Sequence, residues 1–267
     1  KVWARDAATT MMAMDAAGFY TEGAQFWRWM AARQLSGEQA GTFYTCMNLW
    51  DNSHEQFIEP EHDSIGWFLY GVYRHCLETG DYSLADELWP QIKASADFIM
   101  NNIDTAGFGP KDFSIWEDME HFGDYTYTQA LYVAGLQAAA KLAQHKNLGD
   151  LATSYDGAAS TIKTAINRDD TDGVGAGLWN PAGGYYNKLV LWDGSPDRLM
   201  DASAMILFAL GVVDVNSSRA QSTIATFEEN LSNDTYGMAR YAYDVYYTDE
   251  SPWSPSGDEA LRVSPSW

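Results

Sequence analysis

The chain has few cysteines, few cationic residues and no long apolar run, and each scarcity excludes a class of protein. Cys46 and Cys76 are too few for a disulfide framework, and the sequence leaves open whether they pair. Lys and Arg number 16 against 37 Asp and Glu, for a net charge of −21. Because so acidic a chain has little positive charge to place against phosphates, it excludes nucleic acid and anionic membrane surfaces as partners. No apolar segment approaches the roughly 18 residues of a membrane-spanning helix.

Motifs for several common chemistries are also absent from the sequence. It contains no Gly-rich phosphate loop, no HExxH zinc pair and no Gly-x-Ser-x-Gly nucleophile elbow. The five histidines lack ligand spacing, and Asp169–Gly173 resembles a calcium loop without its closing glutamate. We therefore expect no metal and no cofactor.

Helical periodicity is abundant. It predicts helices over approximately residues 5–17, 21–35, 64–78, 90–102, 125–145, 148–168, 199–213 and 217–231, with short strands around 184–191. Pro90 is predicted in the first turn of its helix, where proline is tolerated. The first helix carries only Arg5, Asp6 and Asp15 as charges, so we expect it to be buried on nearly all sides.

The order of the helices predicts the fold class. Buried helices alternate with amphipathic ones, and the long loops all precede buried helices, so these loops collect at one end. This organisation predicts an all-α fold in which antiparallel helix pairs form a ring, an α/α toroid. No shift in composition marks a second domain, so residues 1–267 are predicted to belong to one domain.

The stretch from Asp112 to Gln129 contains a candidate site. Trp116, Glu117 and Asp118 lie in a loop just ahead of a strongly periodic helix. An indole can press on the face of a sugar ring and can raise the pKa of a neighbouring carboxyl group by desolvation. A carboxyl group that is protonated near neutral pH can donate a proton to a leaving oxygen. The alternative is that these acids are solvated surface residues.

Four other loops precede buried helices and carry similar residues. They contribute Arg5-Asp6, Glu59 through Asp63, Trp192-Asp193 with Asp197-Arg198, and Arg240-Tyr241 with Asp244. Together such side chains supply the donors and bidentate acceptors that sugar hydroxyls need. For Asp6 and Asp63 the alternative is a helix cap or a first-turn acid, which stabilises a helix without any ligand.

Five segments carry these residues in an order that matches a known family. They read VWARDAATTMMAMDAAG, EPEHDSIGWFLYGVYRHC, SIWEDM, LMDASAMILFALGVVD and GMARYAYDVYYTDESPW. Together they resemble glycoside hydrolase family 15, the glucoamylase and glucodextranase group, almost from end to end. Two positions depart from the family pattern: Glu61 replaces a usual glutamine, and Asp118 replaces the second acid of a Trp-Glu-Glu segment.

The resemblance implies an (α/α)6 barrel, incomplete in this chain, and an inverting exo-hydrolase that releases β-D-glucose from the non-reducing ends of α-glucans. It implies that Glu117 is the general acid and that the general base lies in a later segment, beyond Trp267. The linkage, α-1,4 or α-1,6, is not readable. The implied substrate-binding residues are Arg5, Asp6, Glu61, Asp63, Trp116, Asp118, Arg240, Tyr241, Asp244 and Trp253.

Two other functions stay open. A part of the barrel that lacks the base would bind sugars without turnover. A toroid polysaccharide lyase would use a Tyr or His base and release an unsaturated sugar, but the Trp-Glu-Asp and Arg-Tyr matches disfavour it.

Three Asn-x-Ser/Thr triplets begin at Asn216, Asn230 and Asn233, and each is a possible N-glycosylation site. They favour a secreted protein. Because the chain opens on a charged residue without an initiating methionine or a signal peptide, we interpret it as a processed or partial product. The expected partner is an α-glucan or oligosaccharide substrate, and a monomer is expected.

Overall fold

Helices form most of the structure. It is a computed structural model and describes residues 1–51, 53–54, 58–116, 121–170, 175–233 and 237–242. The helices of these residues are α1 (Ala4–Ala16), α2 (Tyr20–Ala31), α3 (Asp63–Thr79), α4 (Ser83–Glu87), α5 (Trp89–Asn101), α6 (Thr126–His145), α7 (Gly149–Asn167), α8 (Ile206–Ala209) and α9 (Ser218–Leu231). The predicted positions of the longer helices, α1, α2, α3, α5, α6, α7 and α9, agree with the structure to within a few residues at each end. None of the helices described here is long and apolar enough to cross a membrane.

Local sequence signals set several helix ends. Pro90 lies in the first turn of α5, as predicted. The Ser217 side chain accepts a hydrogen bond from the backbone N–H of Ala220 and so caps α9. Gly80 ends α3 in the left-handed conformation, with φ of 69°.

Two helices form the centre of the core. Most of α3 and nearly all of α6 are buried, whereas α2, α5 and α7 each bury one stripe. Gly66 of α3 lets the two central helices approach closely, because a Cβ atom there would lie 2.6 Å from the Leu131 carbonyl oxygen of α6. The predicted alternation of buried and amphipathic helices is therefore present in this part of the chain.

The prediction that α1 is buried on nearly all sides is wrong. Only Ala4, Ala8 and Asp15 of this helix are buried, and Thr9 and Thr10 are exposed. The helix packs on α2 and α3. It has few charges because it is rich in Ala, Thr and Met, not because it is fully buried. The buried Asp15 has a hydrogen-bonding partner, since its carboxylate lies 3.0 Å from the Nδ1 atom of His75 on α3.

The predicted helix over 199–213 is also wrong. The structure has a 3-10 turn at Ala202–Met205, followed by the single-turn helix α8. Asp201 caps this turn through the Ser203 N–H, and backbone hydrogen bonds pair Ala202 with Arg240 and Met200 with Ala242. These contacts hold the chain before Ala202 in an extended conformation, and tertiary pairing thus overrides helical periodicity here.

Short strands join the loops at one end of the helices. In chain order they are β1 (Val2–Trp3), β2 (Cys46–Met47), β3 (Gly123–Tyr125), β4 (Trp179–Asn180), β5 (Tyr185–Tyr186), β6 (Leu189–Leu191), β7 (Pro196–Asp197), β8 (Ser232–Asn233) and β9 (Gly237–Met238). The largest sheet has the antiparallel order β3-β6-β7, with Gly123 opposite Leu191 and Tyr125 opposite Leu189. The strands predicted around 184–191 are thus confirmed. Cys46 and Cys76 are both buried, and no disulfide joins them.

Candidate active site

A cavity of about 540 Å³ lies at the N-terminal ends of α1, α3 and α6. Its apolar wall contains two tryptophans and several aliphatic side chains, and its polar wall comes from α1 and from the segments around Ser203 and Arg240. The lining residues are Arg5, Asp6, Thr9, Trp67, Ile115, Trp116, Tyr127, Ala202, Ser203, Met205, Ile206, Ala209, Met238, Ala239 and Arg240. Loops that are distant in sequence therefore do converge on one end of the helices.

The polar side of the cavity is organised by Arg5. Its guanidinium donates to Asp63 Oδ2 at 2.7 Å and lies 3.5 Å from Glu61 Oε2, and all three side chains are nearly buried. Burial lowers the pKa of Arg5, but the charges of Asp63 and Glu61 outweigh it and raise the pKa above its usual value. We call Arg5, Glu61 and Asp63 the arginine clamp.

A third buried acid, Asp112, holds the segment that carries the two acids of the arginine clamp. Asp112 accepts a hydrogen bond from the His62 backbone N–H at 2.9 Å, and the Thr128 hydroxyl lies 3.0 Å from the same carboxylate oxygen. The Phe113 N–H donates to the Pro60 carbonyl at 3.0 Å. These contacts fix the short segment from which Glu61 and Asp63 reach Arg5. Burial, helped by the charge of Asp63, raises the pKa of Asp112 well above its usual range.

The aromatic side of the cavity is organised by Trp116, which is 7% exposed. Its indole Nε1 donates a hydrogen bond to Oδ2 of the fully buried Asp201. The Tyr241 ring meets the indole edge-on, with the ring centroids 5.2 Å apart. The Arg240 guanidinium lies 5.5 Å from the Trp116 ring centroid. We call Trp116, Asp201, Arg240 and Tyr241 the indole cluster.

The structure distributes the predicted binding residues over different positions. Arg5, Asp6, Trp116 and Arg240 line the cavity, whereas Tyr241 packs behind Trp116. Glu61 and Asp63 contact Arg5 rather than the cavity itself. Asp6 and Asp63 both lie in the first turn of a helix, where an acid stabilises the helix end without any ligand. Their role in sugar binding stays a prediction.

Four of the predicted site residues lie outside the described residues. They are Glu117, Asp118, Asp244 and Trp253. Their roles as general acid and as sugar contacts stay predictions.

Two of the five predicted loops contribute no residue to the cavity lining. The loop from Glu59 to Asp63 contacts Arg5 instead, and the second is the loop that contains Trp192 and Arg198. Trp192 is 72% exposed, and the Arg198 guanidinium lies 2.7 Å from Asp170 Oδ2. That contact, together with the hydrogen bond from Asn187, engages the Asp170 side chain of the calcium-like sequence. Within the described ranges no group of three His, Cys, Asp or Glu side chains is placed to hold a metal ion.

Sequence reasoning missed Asp201, Trp67 and Ser203. Trp67 donates to the Tyr127 hydroxyl at 3.2 Å, and both rings form the inner wall of the cavity. A signal for Asp201 was present, since aspartate is one of the preferred residues at a helix N-cap. The predicted helix over 199–213 obscured it.

Comparison with solved structures identifies the fold. A bacterial glucoamylase complexed with acarbose superposes with a TM-score of 0.67 at 22% identity, over 90% of this chain and 35% of that chain. A wild-type glycosidase superposes with a TM-score of 0.68 at 20% identity, over 92% of this chain and 65% of that chain. The fold is therefore that of the α/α-toroid glycosidases.

Sequence comparison identifies the family. The model of glycosyl hydrolases family 15 matches residues 60–255, and the chain belongs to this family. An uncharacterised glycosyl hydrolase of Methanocaldococcus jannaschii is 23% identical over 258 residues, which cover 94% of this chain and 38% of the relative. The chain thus spans little more than a third of that relative and of the bacterial glucoamylase.

Proposed function

We propose that this chain is the substrate-binding and acid-donating part of an inverting exo-glycoside hydrolase that releases β-D-glucose from the non-reducing ends of α-glucans. The observation that carries the proposal is the cavity between the arginine clamp and Trp116, the residue that directly precedes Glu117. A buried cation on one side suits sugar hydroxyls, and a fixed indole on the other suits the apolar face of the ring. Membership of family 15 supports the reaction class.

In the proposed mechanism Glu117 protonates the glycosidic oxygen as the bond to the leaving group breaks. Trp116 would keep water from the carboxyl group and so keep it protonated near neutral pH. Inversion needs a second carboxylate about 6.5–9.5 Å away, which activates a water molecule on the opposite face of the sugar. By resemblance to the family this base belongs to a part of the protein beyond the present chain.

The test is hydrolysis of maltose and isomaltose by the intact protein, with the anomer of the released glucose followed by NMR. Wild type should release β-glucose first, and Glu117→Gln should lower kcat on the order of 100- to 10,000-fold. Glu120→Gln changes a nearby acid of the same segment in the same way and serves as the control. Activity that survives Glu117→Gln would mean that another residue is the acid. Binding of glucose ligands without any hydrolysis would instead favour the sugar-binding alternative.

We infer secretion and N-glycosylation from the three Asn-x-Ser/Thr triplets as a separate proposal. Asn216 and Asn230 are exposed, as a glycosylated asparagine must be, whereas the Asn233 side chain lies outside the described residues. Expression through a eukaryotic secretory pathway should yield a protein whose mass falls on treatment with an N-glycosidase. Replacing each of the three asparagines by glutamine should remove that mass difference, and an unmodified secreted protein would refute the glycosylation.

A further inference from the structure

Asp201 is a buried carboxylate with an unusual set of partners. It accepts the indole N–H of Trp116, and its other oxygen accepts the backbone N–H of Ser203 at 2.8 Å. The side chain is fully buried, which disfavours a charge unless several donors or cations compensate it. Burial raises the pKa of Asp201, and the ammonium group of Lys188 opposes that rise. This acid therefore belongs to a connected polar group rather than to a single helix cap.

Lys188 is the cationic member of this group. It is buried just before β6, and its ammonium lies 5.8 Å from the ring centroid of Tyr125 and 5.7 Å from that of Tyr241. Tyr125 and Leu189 pack against Trp116 in one small apolar cluster. The cation, the two tyrosines and the carboxylate thus surround Trp116 on the side away from the cavity.

The location of Asp201 excludes direct contact with a ligand in the cavity. Its carboxylate is covered by Trp116 and does not line the cavity, whereas Ala202 and Ser203, the next two residues, do. Asp201 can therefore influence a ligand by fixing its neighbours. An ionised acceptor holds an indole N–H more strongly than a neutral one, and a capped turn holds Ser203 in place.

We propose that Asp201, compensated by Lys188, is a positioning residue that fixes the plane of Trp116 and, through it, the start of the segment that carries Glu117. The proposal rests on the proposed function for its catalytic consequence, but the orientation of the indole can be measured without any turnover. Asp201 links two parts of the cavity lining, since the same carboxylate fixes Trp116 and the turn that carries Ser203. A carboxylate suits this role because a charged acceptor holds the indole N–H more strongly than a neutral carbonyl group does.

Two substitutions separate the charge of Asp201 from its hydrogen bond. Asp201→Asn keeps an oxygen acceptor of the same size, whereas Asp201→Leu removes the acceptor and the charge. Asp197→Asn is the matched control, because Asp197 is a half-buried acid four residues away that accepts the Leu199 N–H and does not line the cavity. All variants are made in the intact protein, and thermal unfolding shows which of them fold.

The first readout is the indole N–H resonance of Trp116, assigned by its disappearance in Trp116→Phe. In wild type this proton should resonate downfield and exchange slowly with solvent. Asp201→Asn should shift it upfield, Asp201→Leu should shift it further and accelerate its exchange, and Asp197→Asn should leave it in place. An unchanged resonance in both Asp201 variants would overturn the proposal, whatever the enzyme proves to hydrolyse.

The second readout is the pH profile of kcat on the glucan that the wild type cleaves. Asp201→Asn should lower kcat about tenfold, the effect of one weakened charge-assisted contact. If the indole moves away from Glu117, the basic limb of the profile should shift to lower pH by about half a unit. A loss of folded protein would lower kcat without moving the limb, so a variant with altered kcat and an unmoved limb would contradict the positioning role. A wild type without activity would refute the proposed function and leave the resonance test standing.

Discussion

The two walls of the cavity differ in how they are held. The arginine clamp joins the first turns of two neighbouring helices through buried ion pairs, with Arg5 at 2.7 Å from Asp63. The indole cluster joins loops through ring contacts and one hydrogen bond between Trp116 and Asp201, which are 85 residues apart. The arginine clamp therefore depends on the pairing of Arg5 with its two acids. The indole cluster depends instead on the shape and orientation of aromatic rings around the buried Asp201.

The two walls are also expected to make different contacts with a sugar. The clamp presents a cation whose charge the two acids behind it largely compensate, so it can donate hydrogen bonds without attracting anions strongly. The cluster presents an aromatic face whose rotation is blocked by Tyr241 and Asp201. One wall is expected to select hydroxyl groups, and the other to select the flat face of a ring.

Removing the cation of the arginine clamp should have the largest effect on stability. Arg5→Met leaves Glu61 and Asp63 buried without their cation, and should lower the free energy of unfolding by about 3–5 kcal/mol in urea titrations. Arg28→Met is the matched control, because the Arg28–Glu87 pair at 2.8 Å is about half exposed. The control should lose at most about 1 kcal/mol. Equal losses in the two variants would show that burial does not distinguish the pairs.

Acid should destabilise the protein through His62. Burial lowers the pKa of His62, between the two clamp acids, to about 4, whereas the unfolded chain has an ordinary histidine. The unfolded state therefore binds the proton first, and stability is complete above about pH 6.5 and falls as the pH drops towards 4, by roughly 3 kcal/mol.

The measurement is the unfolding free energy of wild type and His62→Gln across this pH range. Other titrating groups are common to both proteins, so the difference isolates His62. The variant should lose less stability than wild type on acidification. Parallel pH curves would contradict a His62 whose pKa is lowered by folding.

Breaking the aromatic wall should cost less. Trp116→Phe keeps an aromatic ring but removes the indole N–H, which leaves the buried Asp201 with one donor fewer. We expect a loss of about 1–3 kcal/mol in unfolding free energy. Trp192→Phe removes an indole N–H from a side chain that is 72% exposed, and should change stability by less than about 0.5 kcal/mol. An unchanged unfolding free energy in Trp116→Phe would show that the hydrogen bond to Asp201 contributes little to stability.

The smallest stability effect is expected at the edge of the indole cluster. Arg240→Lys keeps the positive charge but replaces the planar guanidinium that lies 5.5 Å from the Trp116 ring. The unfolding free energy should change by about 0.5–1 kcal/mol, whereas KM for the glucan should rise because Arg240 lines the cavity. A large loss of stability with an unchanged KM would assign Arg240 to structure rather than to binding.

Much of the fold was predictable from local sequence. The burial of α3 and α6, the proline start of α5 and the serine cap of α9 follow from periodicity and backbone chemistry. The convergence of loops on one end also followed, because helices of alternating burial pack antiparallel. For α1, composition was misleading, since a helix rich in Ala and Thr can be uncharged and still half exposed.

By itself the sequence determined the family, the helices and the residue types at their starts, because these depend on patterns within some twenty residues. Tertiary structure alone decided that Glu61 and Asp63 contact Arg5 rather than the cavity, and that Asp201 receives the indole of Trp116. It also decided that residues 199–213 do not form one helix, since pairing with the segment around Arg240 competes with local helical preference. The side-chain contacts of Arg5 and of Asp201 with Trp116 join positions from 56 to 85 residues apart, and their geometry depends on packing that no local pattern encodes.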